Sequence, residues 1–96
     1  MTDTIVVTRH QGLVDYLLEI GLITPDTPVL SHASADDVRG RHVIGVLPLH
    51  LAALAERVTE VPLALTPEDR GKDLPVERVR EIAGSPVTYQ VNVVAR

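Results

Sequence analysis

Apolar positions along this 96-residue chain fall into short blocks that alternate with stretches of helical spacing. Residues 4–8 (TIVVT) are β-branched throughout and predict a short buried strand. Over residues 12–22, Leu13, Val14, Leu17, Leu18 and Leu22 share one helical face opposite Asp15 and Glu19, and Gly21 suits the stop. Residues 28–32 (PVLSH) follow the turn signal TPDTP and predict a second strand. The polar stretch 33–41 has room for one helical turn at 34–39 before Gly40 breaks it.

Residues 42–46 (HVIGV) predict a third strand. Pro48 suits the first turn of a helix, expected to run to about Val58 with Leu51, Leu54, Ala55 and Val58 inward. A weaker strand is expected over 60–65, with Pro62 confined to an edge or to the strand's beginning. A charged loop, 66–73, leads to a third helix that has Pro75 in its first turn, with Val76, Val79, Ile82 and Ala83 inward and Gly84 beyond its end. Residues 87–94 alternate apolar and polar positions, as in a final strand with one wetter face.

The resulting order, β-α-β-β-α-β-α-β, predicts a single α/β domain over residues 1–96, a three-layer Rossmann-like sandwich with a mainly parallel sheet. The link between the second and third strands spans about nine residues, where a parallel crossover needs about 10–12. Either that crossover is tight or the pair is antiparallel.

Composition narrows the chemistry. The chain has no Cys, Phe or Trp, so disulfides, thiolate nucleophiles and Cys-based metal sites are excluded. An apolar fraction of 45% with a net charge of −4 is too apolar and too weakly charged for disorder. No apolar run approaches the roughly 18–20 residues of a membrane span, and the start at Met1-Thr2-Asp3-Thr4 lacks a basic leader, so a cytoplasmic protein is expected. A core without large aromatic side chains in so small a domain favours association into a dimer. The net charge argues against long duplex nucleic acid as partner.

Ligands of open parallel sheets bind beyond the carboxyl ends of the strands. Those ends carry Thr8, Arg9, His10, Gln11 and Gly12, then Ser31 and His32, then Gly45, Leu47, Pro48 and His50, then Arg70, Gly71 and Lys72. Three of the four His, the only Lys and two Arg thus fall on one rim, while His42 starts a strand at the other end and reads as structural. Two of these loops run into helix N-termini, which favour anions. Arg9 suits bidentate phosphate contact and Lys72 a point charge, while Gly12 and Gly45 permit close approach of backbone to a ligand. The ligand chemistry these residues suggest is phosphate, although no Walker A or G-x-G-x-x-G pattern occurs. Each residue also has a plainer reading: a surface ion pair for Arg9, a helix cap for His10, solvated side chains for His32 and His50, and a solvated loop for Arg70-Gly71-Lys72. No H-x-x-x-H, H-E-x-x-H or G-x-S-x-G spacing supports a metal site or a serine nucleophile. The chemistry that remains plausible is metal-independent phosphodiester cleavage, with an RNA 2′-OH as nucleophile and His10 as proton donor or acceptor.

Three blocks carry a resemblance. Thr8-Arg9-His10-Gln11-Gly12 resembles the S-R-H-x-G signature of a small family of CRISPR-associated proteins from type III loci. The segment VIGVLPLHLA at 43–52 is similar to that family's V-I-G-T-L-P-x-x-L-A. Leu63 with PEDRGKDL at 67–74 is similar to its L-x-x-x-x-R-G-x-E-L block. Thr8, Val46 and Asp73 stand where the family has Ser, Thr and Glu. The resemblance implies a ring nuclease that binds and linearises a cyclic oligoadenylate second messenger, cyclic tetra-adenylate above all, and so switches off type III CRISPR signalling. It also implies no metal or other cofactor, a homodimer around a two-fold symmetric ring, and Arg9, His10, Gly45, Pro48, Arg70 and Gly71 as the family-matching residues. The expected division of labour gives Arg9, His10 and Arg70 catalytic roles and Thr8, Gln11, Gly12, His32, Gly45, Pro48, His50, Gly71 and Lys72 ligand contacts. The rival expectations are a non-catalytic sensor or sponge for the same messenger and a protein-interaction subunit using the same rim.

Overall fold

The computed structural model describes residues 3–96 as β1 (Thr4–Val7), α1 (Gln11–Glu19), β2 (Val29–Leu30), α2 (Ala35–Val38), β3 (His42–Gly45), α3 (Leu49–Ala52), β4 (Arg57–Glu60), a 3-10 turn (Pro67–Asp69), α4 (Val76–Ile82) and β5 (Val87–Tyr89). Met1 and Thr2, part of the start read as lacking a basic leader, lie outside the described residues. The strands form one five-stranded sheet in the order β2-β1-β3-β4-β5. Pairings β1–β2, β1–β3 and β3–β4 are parallel, and β4–β5 is antiparallel. An α/β architecture with a mainly parallel sheet is therefore observed, with one short helix, α2, where a single helical turn was expected.

Side chains alternate across the sheet and feed two apolar clusters. Val6 and Ile44 pack with Leu13, Val14 and Leu17 of α1 and Val79 and Ile82 of α4. Ile5, Val43 and Val58 point the other way, to Val38 of α2 and to Ala52 and Ala55. Helices thus cover both faces. Seven of these side chains, Ile5, Val6, Leu17, Val38, Val43, Ile44 and Val79, are almost wholly excluded from solvent. Each contributes about 1.5–3 kcal/mol of hydrophobic stabilisation. Among the described residues, no helix is long and apolar enough to cross a membrane.

Three expectations are corrected. The helix predicted from Pro48 to Val58 is only Leu49–Ala52, with Pro48 as its N-cap, and Val58 belongs to β4. Apolar residues at 51, 54, 55 and 58 satisfy a helical period, but the chain turns after Ala53. Its turn is held by Gly40 N–H to the Leu54 carbonyl (3.0 Å) and Glu56 N–H to the Arg41 carbonyl (2.9 Å). The strand expected over 60–65 lies earlier, at Arg57–Glu60, because β4 is an interior strand and Pro62 cannot donate to its ladder. The final strand is three residues, Val87–Tyr89, rather than 87–94. The short link between β2 and β3 is resolved as well. Both strands run parallel to β1 from opposite sides, so the chain crosses over β1 in a tight connection containing α2.

Candidate functional site

From β1 the chain leaves through α1 to β2 on one side. From β3 it leaves through α3 to β4 on the other. The C-terminal ends of β1 and β3, where Val7 pairs with Gly45, are therefore the place where successive connections diverge and a crevice must open. A cavity of about 470 Å³ lies there, lined by Thr8, Arg9, His10, Ser31, Gly45 and Glu60 among others, with Val46, Leu63 and Leu65 as aliphatic walls. A second lobe of about 430 Å³ shares Arg9, His10, Leu63 and Leu65 and adds Arg70, Gly71 and Lys72. Segments far apart in sequence thus bring most of the expected rim residues to one crevice.

His10 lines both lobes. Its backbone N–H donates to Thr8 Oγ1 (3.2 Å), and its carbonyl, at the N-cap of α1, accepts from the N–H groups of Leu13 (3.1 Å) and Val14 (3.3 Å). No side-chain bond caps this helix. The ring nitrogen Nδ1 of His10 is buried without a hydrogen-bond partner, the single such side-chain atom among the described residues. An unsatisfied buried polar atom costs about 1–3 kcal/mol, which sets His10 apart from the other residues of the crevice.

Beside it, Nη2 of Arg9 lies 3.2 Å from Nδ1 and 3.3 Å from Nε2 of His32. This contact leaves the guanidinium charge unneutralised. Among the described residues no carboxylate pairs with Arg9, Arg70 or Lys72. The crevice is thus bordered by three cations without an ion-pair partner, with the carboxylates of Glu60 and Asp73 also in its lining.

The loop carrying two of these cations is anchored. Asp69 accepts from Arg78 Nε (2.9 Å) and Nη2 (2.8 Å), and from the N–H and Oγ1 of Thr66 (both 2.9 Å). The Arg78 guanidinium, followed by the Thr66 N–H, holds the Asp69 carboxyl well below the ordinary carboxylate range. Arg78 also donates to Glu81 (2.9 Å), which fixes it to α4. Gly71 then takes φ +75°, a left-handed turn that suits glycine. The aliphatic wall is fastened through Ala64 N–H to the Ile82 carbonyl (2.9 Å) and Gly84 N–H to the Pro62 carbonyl (2.7 Å).

Other expected residues are placed differently. The missing Cβ of Gly12 and of Gly45 makes room for the protein's own backbone, while Gly45 also lines the cavity. A Cβ on Gly12 would sit 1.9 Å from the Leu74 carbonyl oxygen, and one on Gly45 (φ +144°) 2.3 Å from that of Val7. Gln11 bonds Asp15 on its own helix (2.9 Å). With Gly12 it borders a neighbouring hollow that also includes Arg9. Pro48 and His50 are exposed on the α3 side and line neither lobe of the crevice. His42 lies at the far end of the sheet, where its Nε2 contacts Thr59 Oγ1 (2.6 Å), itself 2.8 Å from Thr88 Oγ1. Burial, then the nearby Arg57 charge, lowers the His42 pKa. Among the described residues no three His, Cys, Asp or Glu side chains gather as metal ligands.

Ser31, which the sequence places at the end of the second strand, does line the crevice, and the residues missing from the sequence-based set are Glu60, Leu63, Leu65, Asp69 and Arg78. The spacing Thr66-x-x-Asp69 is a capping-box pattern and signals an anchored turn within the charged loop. Glu60 was hidden by the misplaced strand, which put it at a strand start instead of a strand end. No curated protein and no solved structure matches the chain. A sequence profile for the family described as "Putative CRISPR-associated protein (Cas_VVA1548)" matches residues 5–92, and the chain belongs to that family.

Proposed function

We propose that the crevice between β1 and β3 binds a cyclic oligoadenylate, cyclic tetra-adenylate in the first instance, and opens the ring by metal-independent attack of a ribose 2′-OH on the adjacent phosphorus. The observation that carries this reading is the convergence of His10, whose Nδ1 has no partner, and three cations without an ion-pair partner, Arg9, Arg70 and Lys72, on one crevice. Membership of a CRISPR-associated family and the three family-like blocks support it.

Arg9 and Arg70 grip the scissile phosphate and offset the charge that builds on its oxygens, and Lys72 adds a point charge. His10 moves a proton at a reacting oxygen, taking it from the 2′-OH or supplying it to the leaving 5′-oxygen. The 2′-oxygen–phosphorus bond forms as the phosphorus–5′-oxygen bond breaks, leaving a 2′,3′-cyclic phosphate and a 5′-hydroxyl. Opening the ring would end type III CRISPR signalling in the cytoplasm. A two-fold symmetric ring suits a homodimer, and Val46 (71% exposed) and Leu49 (75% exposed) offer apolar surface beside the crevice for a second copy.

Incubation with cyclic tetra-adenylate and a metal chelator, followed by chromatography, tests this. Linear product from the wild type, and bound but intact ring with His10→Ala, are expected. A ring that survives long incubation with excess protein overturns the cleavage. Tight binding without product would establish instead a sponge for the messenger. That second reading is favoured by Val46, which lines the crevice with an aliphatic group where the resembled family carries a hydroxyl.

A further inference from the structure

The crevice contains a carboxylate that a phosphate site does not need. Thr59 pairs with Ile44, and Ile44 with Val6, so Glu60, the next residue of β4, stands beside Gly45, which pairs with Val7. Alternation along β4 places its side chain on the face of Val58, under α3, where it is half-buried. It borders the β1/β3 cavity and an adjoining apolar hollow formed by Val46, Leu49 and Tyr89. Among the described residues no hydrogen bond or ion pair involves the Glu60 carboxylate, although Arg9 lines the same cavity.

A half-buried carboxylate without a partner is costly, and it repels phosphate. The part of an anionic ligand that faces it must therefore be a hydrogen-bond donor. A ribonucleotide offers two kinds: ribose hydroxyls and the exocyclic amino group of its base. The 2′-OH that attacks the scissile phosphate is that phosphate's neighbour and belongs beside Arg9 and His10. Glu60 lies two strands away from β1, about 10 Å at the usual strand spacing, so it reaches a group remote from the phosphate, the base edge.

We propose that Glu60 accepts a hydrogen bond from the exocyclic amino group of a bound base and is the specificity-determining residue that selects adenine over bases with a carbonyl at that position. This deepens the oligoadenylate reading and rests on it. A carbonyl there would turn its lone pairs toward the carboxylate, so the site rejects as well as selects. In a crevice without Phe or Trp, the aliphatic Val46, Leu63 and Leu65 supply the flat apolar contact for the ring.

The test titrates the full chain with cyclic tetra-adenylate and with the same ring carrying hypoxanthine in place of adenine, on a timescale short against cleavage. The wild type is expected to bind the adenine ring at least about tenfold more tightly, the scale of one hydrogen bond to a charged group. Glu60→Gln, whose amide presents both a donor and an acceptor, brings the ratio close to one, and Glu60→Asp keeps the preference for adenine. Equal wild-type affinities for the two rings overturn the proposal while leaving the oligoadenylate reading intact. So does an unchanged preference in a Glu60→Gln protein that melts normally. Failure to bind either ring overturns both. The wild-type comparison requires no variant and stands even where a substitution impairs folding.

Discussion

Arg78 and Asp69 are joined by two parallel hydrogen bonds, Nε to Oδ1 at 2.9 Å and Nη2 to Oδ2 at 2.8 Å. The pair ties α4 to the turn immediately before Arg70, Gly71 and Lys72, so a residue with no place on the crevice decides where two of its cations stand. A fork of this geometry adds direction as well as attraction. Arg78→Ala and Asp69→Asn are both expected to lower the melting temperature and to weaken ligand binding several-fold. Calorimetry on the two variants would detect either effect, and unchanged binding would show that the loop holds its shape without the pair.

The same carboxylate makes a specific acid response. Asp69 is held below its ordinary value of 3.8, so its contribution to stability is complete above about pH 4. It fades as the pH falls further, because the unfolded chain takes up the proton first. Thermal melts from neutral to acid pH should show this loss in the wild type. In Asp69→Asn the acid limb should be flatter, and parallel curves would contradict the assignment.

At the other end of the sheet, the chain His42–Thr59–Thr88 links β3, β4 and β5. The His42 pKa is lowered by burial and by Arg57, so stability is complete above the ordinary histidine value of 6.5 and falls as the pH drops below it. His42→Gln should remove that limb of the profile. Thr59 is only 3% exposed. Thr59→Val removes both bonds; Thr88 is exposed and turns to water, so the cost falls on the half-buried His42 and is about 1 kcal/mol. For a domain of this size, each kcal/mol lowers the melting temperature by roughly 4–8 °C.

Gly12 occupies a helix, where Ala is ordinarily better than Gly by about 0.8–1.0 kcal/mol. Here the sign should reverse. The added Cβ would meet the Leu74 carbonyl oxygen at 1.9 Å and force α1 away from the segment leading into α4. Gly12→Ala is expected to cost about 1–3 kcal/mol, the range for overpacking a filled site. A denaturant melt in which the variant is more stable than the wild type would refute that explanation.

Arg70→Ala and Lys72→Ala should weaken binding of an oligoadenylate ring with little change in melting temperature, since neither side chain pairs with a carboxylate. Binding should also weaken with added salt, because exposed charges are screened beyond about 8 Å at physiological ionic strength. Titration in rising sodium chloride checks both, and a salt-independent affinity would remove the electrostatic account of the site.

The elements that a local pattern can specify were readable from the chain. The β-branched run at Thr4–Val7 and the Pro-started helix α4 lie within a residue or two of expectation, and the amphipathic stretch expected over 12–22 became α1, which ends three residues sooner at Glu19. Between residues 48 and 65 the local pattern misleads. Val58 satisfies the spacing of the preceding helix, yet its place in β4 opposite Val43 is determined by pairing with a strand about fifteen residues earlier. Short apolar stretches suit a helix or a strand equally well, and tertiary burial chooses between them.

The same division holds for the site. Arg9 and His10 could be placed by sequence because they directly follow a recognisable strand and precede a recognisable helix. Arg70 and Lys72 could be named but not positioned, since the bonds from Asp69 to Arg78 and Thr66 hold their loop, and no local pattern shows where α4 will stand. Pro48 and His50 were expected at the rim, and they stand exposed on the α3 side and line neither lobe of the crevice. The chain by itself therefore determined the alternation of strands and helices and the cationic character of one rim, because both depend on neighbours in sequence. The tertiary structure alone decided that β1 and β3 part at Val7 and Gly45, and that His10 Nδ1 is buried without a partner. It alone brought Glu60 into the cavity that Arg9 lines, because the register of strands distant in sequence sets which side chains share a cavity.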